Sequence, residues 1–78
     1  MNEKQIGKMV RFHRKKSGLT QAELGRLADL GKTVIFDIEN EKLSVKFSTL
    51  LKLFDVLNIK LEFKSPLMHI FKDNNEKG

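Results

Sequence analysis

Few residues in this chain have the types that do covalent or acid–base chemistry. There are two histidines, His13 and His69, and no cysteine. They lie far apart in sequence, and no serine or threonine stands beside an evident base, so no nucleophile–base pair can be assembled from spacing. No run of histidines and carboxylates has metal-ligand spacing either. His13 falls at an inward helical position, where a histidine packs, and His69 reads as exposed. The expectation is therefore no enzyme, no metal and no cofactor. What the sequence does supply is cations. Lys4, Lys8, Arg11, Arg14, Lys15 and Lys16 crowd the first segment, the net charge is +5 and the isoelectric point is near 9.7. That balance is a footprint of nucleic-acid binding. On charge alone, DNA, RNA, an anionic membrane or an acidic protein would all serve, and a solvated helix face is the plain alternative.

The elements that must hold these groups follow from periodicity. Helices are expected at about 3–16, 20–28, 32–39 and 46–57. In the first, Ile6, Met9, Val10 and His13 recur at helical spacing. Asn2 can cap it, Glu3 complements its dipole, and Ser17-Gly18 stops it. Thr20-Gln21-Ala22-Glu23 is a capping box, with Leu19 and Leu24 placed to staple it. Leu24, Leu27 and Ala28 point inward from the second helix, and Asp29-Leu30-Gly31 turns the chain. The third helix anchors through Ile35 and Ile38. A polar connection, Asn40-Glu41-Lys42-Leu43-Ser44, leads to the fourth, where Phe47, Leu50, Leu51, Phe54 and Leu57 are spaced for burial. Beyond Asn58 the period changes. Ile59-Lys60-Leu61-Glu62-Phe63-Lys64 alternates apolar and charged residues, as a strand does. Leu67–Phe71 is apolar, of open structure, and Asp73–Gly78 reads as a polar, disordered tail.

A capped helix, a three-residue turn and a second short helix make a helix-turn-helix pattern. Gly25, fifth residue counted from Gln21, suits a close crossing, because a glycine inside a helix gives up roughly 1 kcal/mol against alanine and needs a packing reason. On LTQAEL (19–24), on Ile35-Phe36-Asp37-Ile38-Glu39-Asn40 and on the following FSTLLKLFDVL, residues 6–57 resemble the Xre/Cro/C1-type helix-turn-helix family of phage and bacterial repressors. Two positions depart from the family pattern. Asp29 stands at the usual turn glycine, where aspartate tolerates the left-handed region. Glu41 stands at the usual glycine after IEN, which hands the end of the third helix to Asn40 and brings an acidic group near phosphates.

The resemblance implies an all-α, lambda-repressor-like domain of four helices whose third helix enters the major groove. It puts Lys32, Thr33, Phe36 and Asp37 at the base-reading positions. Lys32 can donate to guanine, Thr33 can bond a base or touch a thymine methyl, and Phe36 can meet thymine methyls or fold onto the domain's flank. Val34 is then left near the groove edge or the second helix. Gln21, Asn40 and Lys42 match phosphate-contacting positions, which set affinity and register rather than sequence. Arg14 and Glu39 match a family salt bridge between the first and third helices.

One strand in a helical chain leaves its backbone groups without partners. The simplest partner is the same strand of a second copy, with Ile59, Leu61 and Phe63 facing the fourth helices; a hairpin with Leu67–Phe71 is the alternative. A helix-turn-helix closed by KLEFKSP resembles the HipB-type antitoxins. That resemblance implies a dimeric, autoregulating repressor that binds operator palindromes and a HipA-type serine/threonine kinase toxin. A stand-alone phage-type or housekeeping Xre repressor is the alternative. The domain plan is then 1–58 for DNA binding, 59–64 for a dimerisation strand and 65–78 for a partly disordered tail. The polar start MNEKQIGK is unlike a signal peptide and no run is long enough to span a membrane, so the expected location is the cytoplasm, at the nucleoid.

Overall fold

Among the described residues, the chain forms α1 (Glu3–Lys16), α2 (Gln21–Leu27), α3 (Lys32–Glu39), α4 (Phe47–Val56) and α5 (Met68–Lys77). The computed structural model describes residues 1–42 and 44–77, the last three as backbone. Leu43 and Gly78, which belong to the expected connection and tail, lie outside the described residues.

Local signals set the starts of α1 and α2. Asn2 accepts from the Gln5 amide and donates its own amide to the Gln5 side chain, both at 2.9 Å. Thr20 and Glu23 close the same reciprocal box, at 3.1 and 2.9 Å. Each box satisfies amides that the first turn leaves without carbonyl partners. Acidic Glu23 and basic Arg26 also match the dipole of α2.

The core sits where α1, α2, α3 and α4 meet. Val10, Leu24, Ile35, Ile38 and Leu53 are fully buried, with Phe54 and Leu57 beside them. Each such side chain contributes about 1.5–3 kcal/mol by leaving water. Two glycines let the helices close on it. A Cβ on Gly25 would stand 2.6 Å from the Leu30 carbonyl oxygen, and one on Gly7 would stand 2.7 Å from that of Ile38. Gly25 is thus needed against the turn rather than against a crossing helix, and even a methyl is too large there. Gly7 plays the same part between α1 and α3. The turn itself depends on Asp29, which takes φ 56°.

Several expectations are corrected. Leu27 is exposed rather than inward, because α2 ends there and the turn delivers Leu30 to the core instead. On α4, Phe47 and Leu51 are exposed and Leu53 is buried. Two stripes of this helix have helical spacing, and packing into the core selects the one through Leu50, Leu53, Phe54 and Leu57. Asn40 ends α3 as expected, and Glu41 after it adopts the left-handed conformation, at φ 71°. Asn40 caps the helix at φ −101°. No strand exists over 59–64 among the described residues. After the Ile59 amide bonds the Phe54 carbonyl, no backbone amide of 60–64 has a backbone partner among them, as a lone strand in a single chain requires. Within the expected tail, α5 runs to Lys77, and 67–71 forms no hairpin among the described residues. The Met68 amide bonds the Ser65 carbonyl beside Pro66, which starts α5.

Candidate nucleic-acid interface

The third helix is fixed from behind and open in front. Ile35 and Ile38 lock one face into the core, while Lys32, Thr33, Phe36 and Asn40 are exposed on the other and Asp37 is half-buried at its side. Val34 is half-buried and packs against the core rather than joining that row. Positions 32, 33, 36, 37 and 40 share a face by the helical repeat. Gly31 brings no side-chain cap, and the first turn holds no acidic residue. The amides of Lys32 and Thr33 therefore have no partner among the described residues, and such an end attracts anions.

Arg14 sets the orientation of α3. Its Nε and Nη2 donate to Glu39 at 2.6 and 2.9 Å, and its Nη1 donates to the Leu19 carbonyl at 2.9 Å. Gln21 adds a bond from Nε2 to Glu39 at 3.3 Å. The Glu39 side chain is only 3% exposed. The fork of hydrogen bonds to Glu39, the largest influence, raises the already high pKa of Arg14 against the opposing effect of burial. Three elements, α1, the α2 entry and α3, are thereby tied at one point. The sequence pairing of Arg14 with Glu39 is observed; the Leu19 carbonyl and the Gln21 amide in that network carry no signal in periodicity.

Beside this network lies an open cleft of about 430 Å³, lined by Arg14, Gly18–Ala22 and Lys32. It brings Gln21 and Lys32 together across the entry of α2. Asn40 stands at the other end of α3, with its Nδ2 donating to the Phe36 carbonyl at 2.8 Å. Lys42 is exposed beyond it, its amide bonded to the Asp37 carbonyl. Ile59 packs on the core, whereas Leu61 and Phe63 are exposed, and all three line an apolar groove with Ile6, Met9, Phe47 and Leu50.

The histidines take no part in this surface. His13 is half-buried, with Nδ1 2.7 Å from the Met9 carbonyl and the ring edge-on to Phe12; His69 is exposed. Among the described residues no cluster of histidines and carboxylates is arranged to hold a metal, and no helix is long and apolar enough to cross a membrane.

A family model described as helix-turn-helix, HTH_3, matches residues 10–64. The chain belongs to the HTH_3 helix-turn-helix family. Members of this Xre/Cro/C1-type family are DNA-binding regulators, and α2 and α3 are its helix-turn-helix. The restriction-modification controller protein C.AhdI from Aeromonas hydrophila is similar at 28% identity and TM-score 0.69, over 74% of this chain and 84% of that one. An HTH_3 family transcriptional regulator from Vibrio cholerae is similar at 26% identity and TM-score 0.68. The match covers 74% of this chain but only 33% of the regulator's length. The fold is also that of a chain in the HipA–HipB–O2–O3 complex, at TM-score 0.74 and 20% identity over 85% of this chain and 93% of that one. No curated protein matches the sequence.

Proposed function

We propose that this protein is an operator-binding transcriptional repressor that works as a homodimer and serves as the antitoxin of a HipA-type serine/threonine kinase. The observation that carries the DNA-binding part is the exposed row on α3. Lys32, Thr33 and Phe36 are exposed, with Asp37 half-buried beside them, on a helix whose opposite face is locked by Ile35, Ile38 and the Glu39 network. Such a helix enters the major groove N-terminus first, and its uncapped amides and Lys32 suit that approach. Gln21 and Lys32 flank the cleft beside α2, and Lys42 lies past α3, so backbone phosphates on both sides of the groove can be held.

Dimerisation is supported by the groove of α1, α4 and residues 59–63, with Phe63 64% exposed. Contiguous apolar surface of this kind marks an interface. Two copies present two α3 helices, which calls for a palindrome with half-sites about one helical turn apart. The antitoxin reading rests on the fold shared with the HipB structures, which extends over a larger share of this chain than the C.AhdI match. One observation favours a second reading, a stand-alone regulator: sequence identity is higher to the controller protein.

The test has two stages. A mobility-shift titration on the protein's own promoter across a salt series should show a palindromic site preferred over random duplex, with affinity falling steeply with salt. Equal affinity for random duplex refutes the repressor reading. Mixing with the kinase encoded beside it should give a stable complex with the dimer; no complex leaves the stand-alone regulator.

A further inference from the structure

Asp37 is the anomaly of the α3 face. Its carboxylate joins no hydrogen bond or ion pair among the described residues, and as no buried side-chain oxygen there lacks a partner, it reaches solvent. An unpaired carboxylate on a helix aimed at a polyanion opposes binding unless it accepts a hydrogen bond from a base. In the major groove only cytosine N4 and adenine N6 donate. Adenine's donor lies beside the N7 acceptor, which repels a carboxylate, whereas cytosine's lies beside the C5 carbon. The residue next to Asp37 is Phe36, whose ring is 50% exposed and outside the core. Ring and carboxylate thus project from successive positions at the front of α3, and a pyrimidine likewise presents an apolar C5 edge next to its N4 donor.

Resting on the operator-binding reading above, we propose that Phe36 and Asp37 form a two-part pyrimidine reader. Asp37 accepts from the N4 of one cytosine in each half-site, and Phe36 packs on a pyrimidine C5 methyl at that pair or its neighbour. The methyl comes from thymine or from 5-methylcytosine. The protein therefore reads one C5 methyl in each half-site, and where that methyl is 5-methylcytosine's it senses the methylation state of its site.

The experiment begins with the full-length protein and the duplex it selects from a random pool. Each cytosine of the half-site is replaced in turn, each thymine by deoxyuridine, and each cytosine by 5-methylcytosine. One cytosine should be required, with about a tenfold or greater loss on replacement, and Asp37→Ala should erase that requirement. At one position, deoxyuridine should weaken binding about fourfold, or 5-methylcytosine tighten it about fourfold, as burying a single methyl predicts. The first result identifies thymine as the source and the second 5-methylcytosine. Phe36→Ala should abolish the effect at an unchanged melting temperature. If all duplexes bind alike, the operator reading itself fails. If base preferences persist unchanged in Asp37→Ala, or no C5 methyl alters wild-type affinity, only the pyrimidine reader is overturned. The methyl arms need no variant, so a misfolded Phe36→Ala cannot rescue or hide the outcome.

Discussion

Around Arg14 and Glu39 the molecule buries charge and satisfies it. Along the arm from Ile59 to α5 it exposes apolar side chains and covers few of them. Among the described residues no buried side-chain nitrogen or oxygen lacks a partner, while Leu61, Phe63, Leu67, Ile70 and Phe71 all reach solvent. The α1–α3 contacts are made within one chain; α5 belongs to none of the helix pairs that pack substantially. The radius of gyration is 14.8 Å, against about 11–12 Å for a compact chain of this length, as an outlying arm requires. A ten-residue helix is marginal in isolation, so the arm needs external surface to hold its shape. The difference teaches that the two regions are built for different surroundings. The polar knot aims α3 and is complete within one copy, whereas the apolar arm leaves its large side chains exposed, as the proposed dimer requires.

The sharpest way to break that contrast is to unbalance the knot. Arg14→Leu leaves Glu39 buried without its guanidinium and should lower unfolding free energy by about 3–5 kcal/mol. That is a large part of what a domain of this size possesses. The double variant Arg14→Leu/Glu39→Leu removes both charges and should recover most of the loss in thermal or urea denaturation. If the double variant is no more stable than the single one, the pair stabilises by packing rather than by charge satisfaction. Next in size is Gly25→Ala. Its methyl would lie 2.6 Å from a backbone oxygen that cannot swing away, so about 1–3 kcal/mol should be lost despite the better helix propensity. Gly31→Ala is the control. Nothing lies within 4 Å of its added Cβ, so it should lose only the N-cap preference of glycine over alanine at the start of α3, about 0.5–1 kcal/mol.

How much of this was legible in the sequence divides along the same line. The helix starts at Asn2 and Thr20, the anchors Ile35 and Ile38 and the Arg14–Glu39 pairing were readable. Capping and short-range periodicity are local, and the family resemblance supplied the long-range pair. Gln21 matches a phosphate-contacting position and also braces Glu39; a side chain that bridges two elements leaves no trace in the spacing of either. Leu53 was missed because α4 is apolar on two faces and only tertiary packing chooses between them. Residues 59–64 alternate as a strand does, yet a strand needs a second edge, and one chain has none to give. The helix over 68–77 was obscured by its polar residues, which mark a solvated helix face as readily as a disordered tail.

Glu41 allows a gain to be measured on the well-ordered side. It holds φ 71° without being glycine, and Glu41→Gly should stabilise the chain by about 1 kcal/mol. The same change removes a negative charge next to Lys42, so operator affinity should rise modestly at low salt and less at high salt. A stability gain without an affinity gain would put Glu41 away from the phosphates. On the arm, Phe63→Ala should alter the melting of dilute protein by no more than about 0.5 kcal/mol. The melting temperature of the wild-type chain should climb with concentration, as it does for any self-associating protein, and that of the variant should climb less. Equal concentration dependence in both would remove Phe63 from the dimer surface and sharpen the contrast toward α5.

The smallest effect concerns the cap that begins α2, the entry to the helix-turn-helix. The Thr20 backbone amide donating to the Glu23 carboxylate, with the Thr20 side chain second, holds its pKa below the ordinary 4.5. A carboxylate whose folded value is depressed favours folding at pH above its unfolded value. That contribution fades as pH falls below the ordinary glutamate value and through the lower folded one. Glu23 is solvent-screened, so the change should be slight and should shrink with added salt. Glu23→Gln keeps an oxygen that can accept from the Thr20 amide but cannot titrate. Wild type and variant should therefore melt alike in acid, and wild type should pull ahead as pH rises past the ordinary glutamate range. A constant difference between them at all pH values would mean that the box acts through hydrogen-bond geometry alone, with no part for the charge.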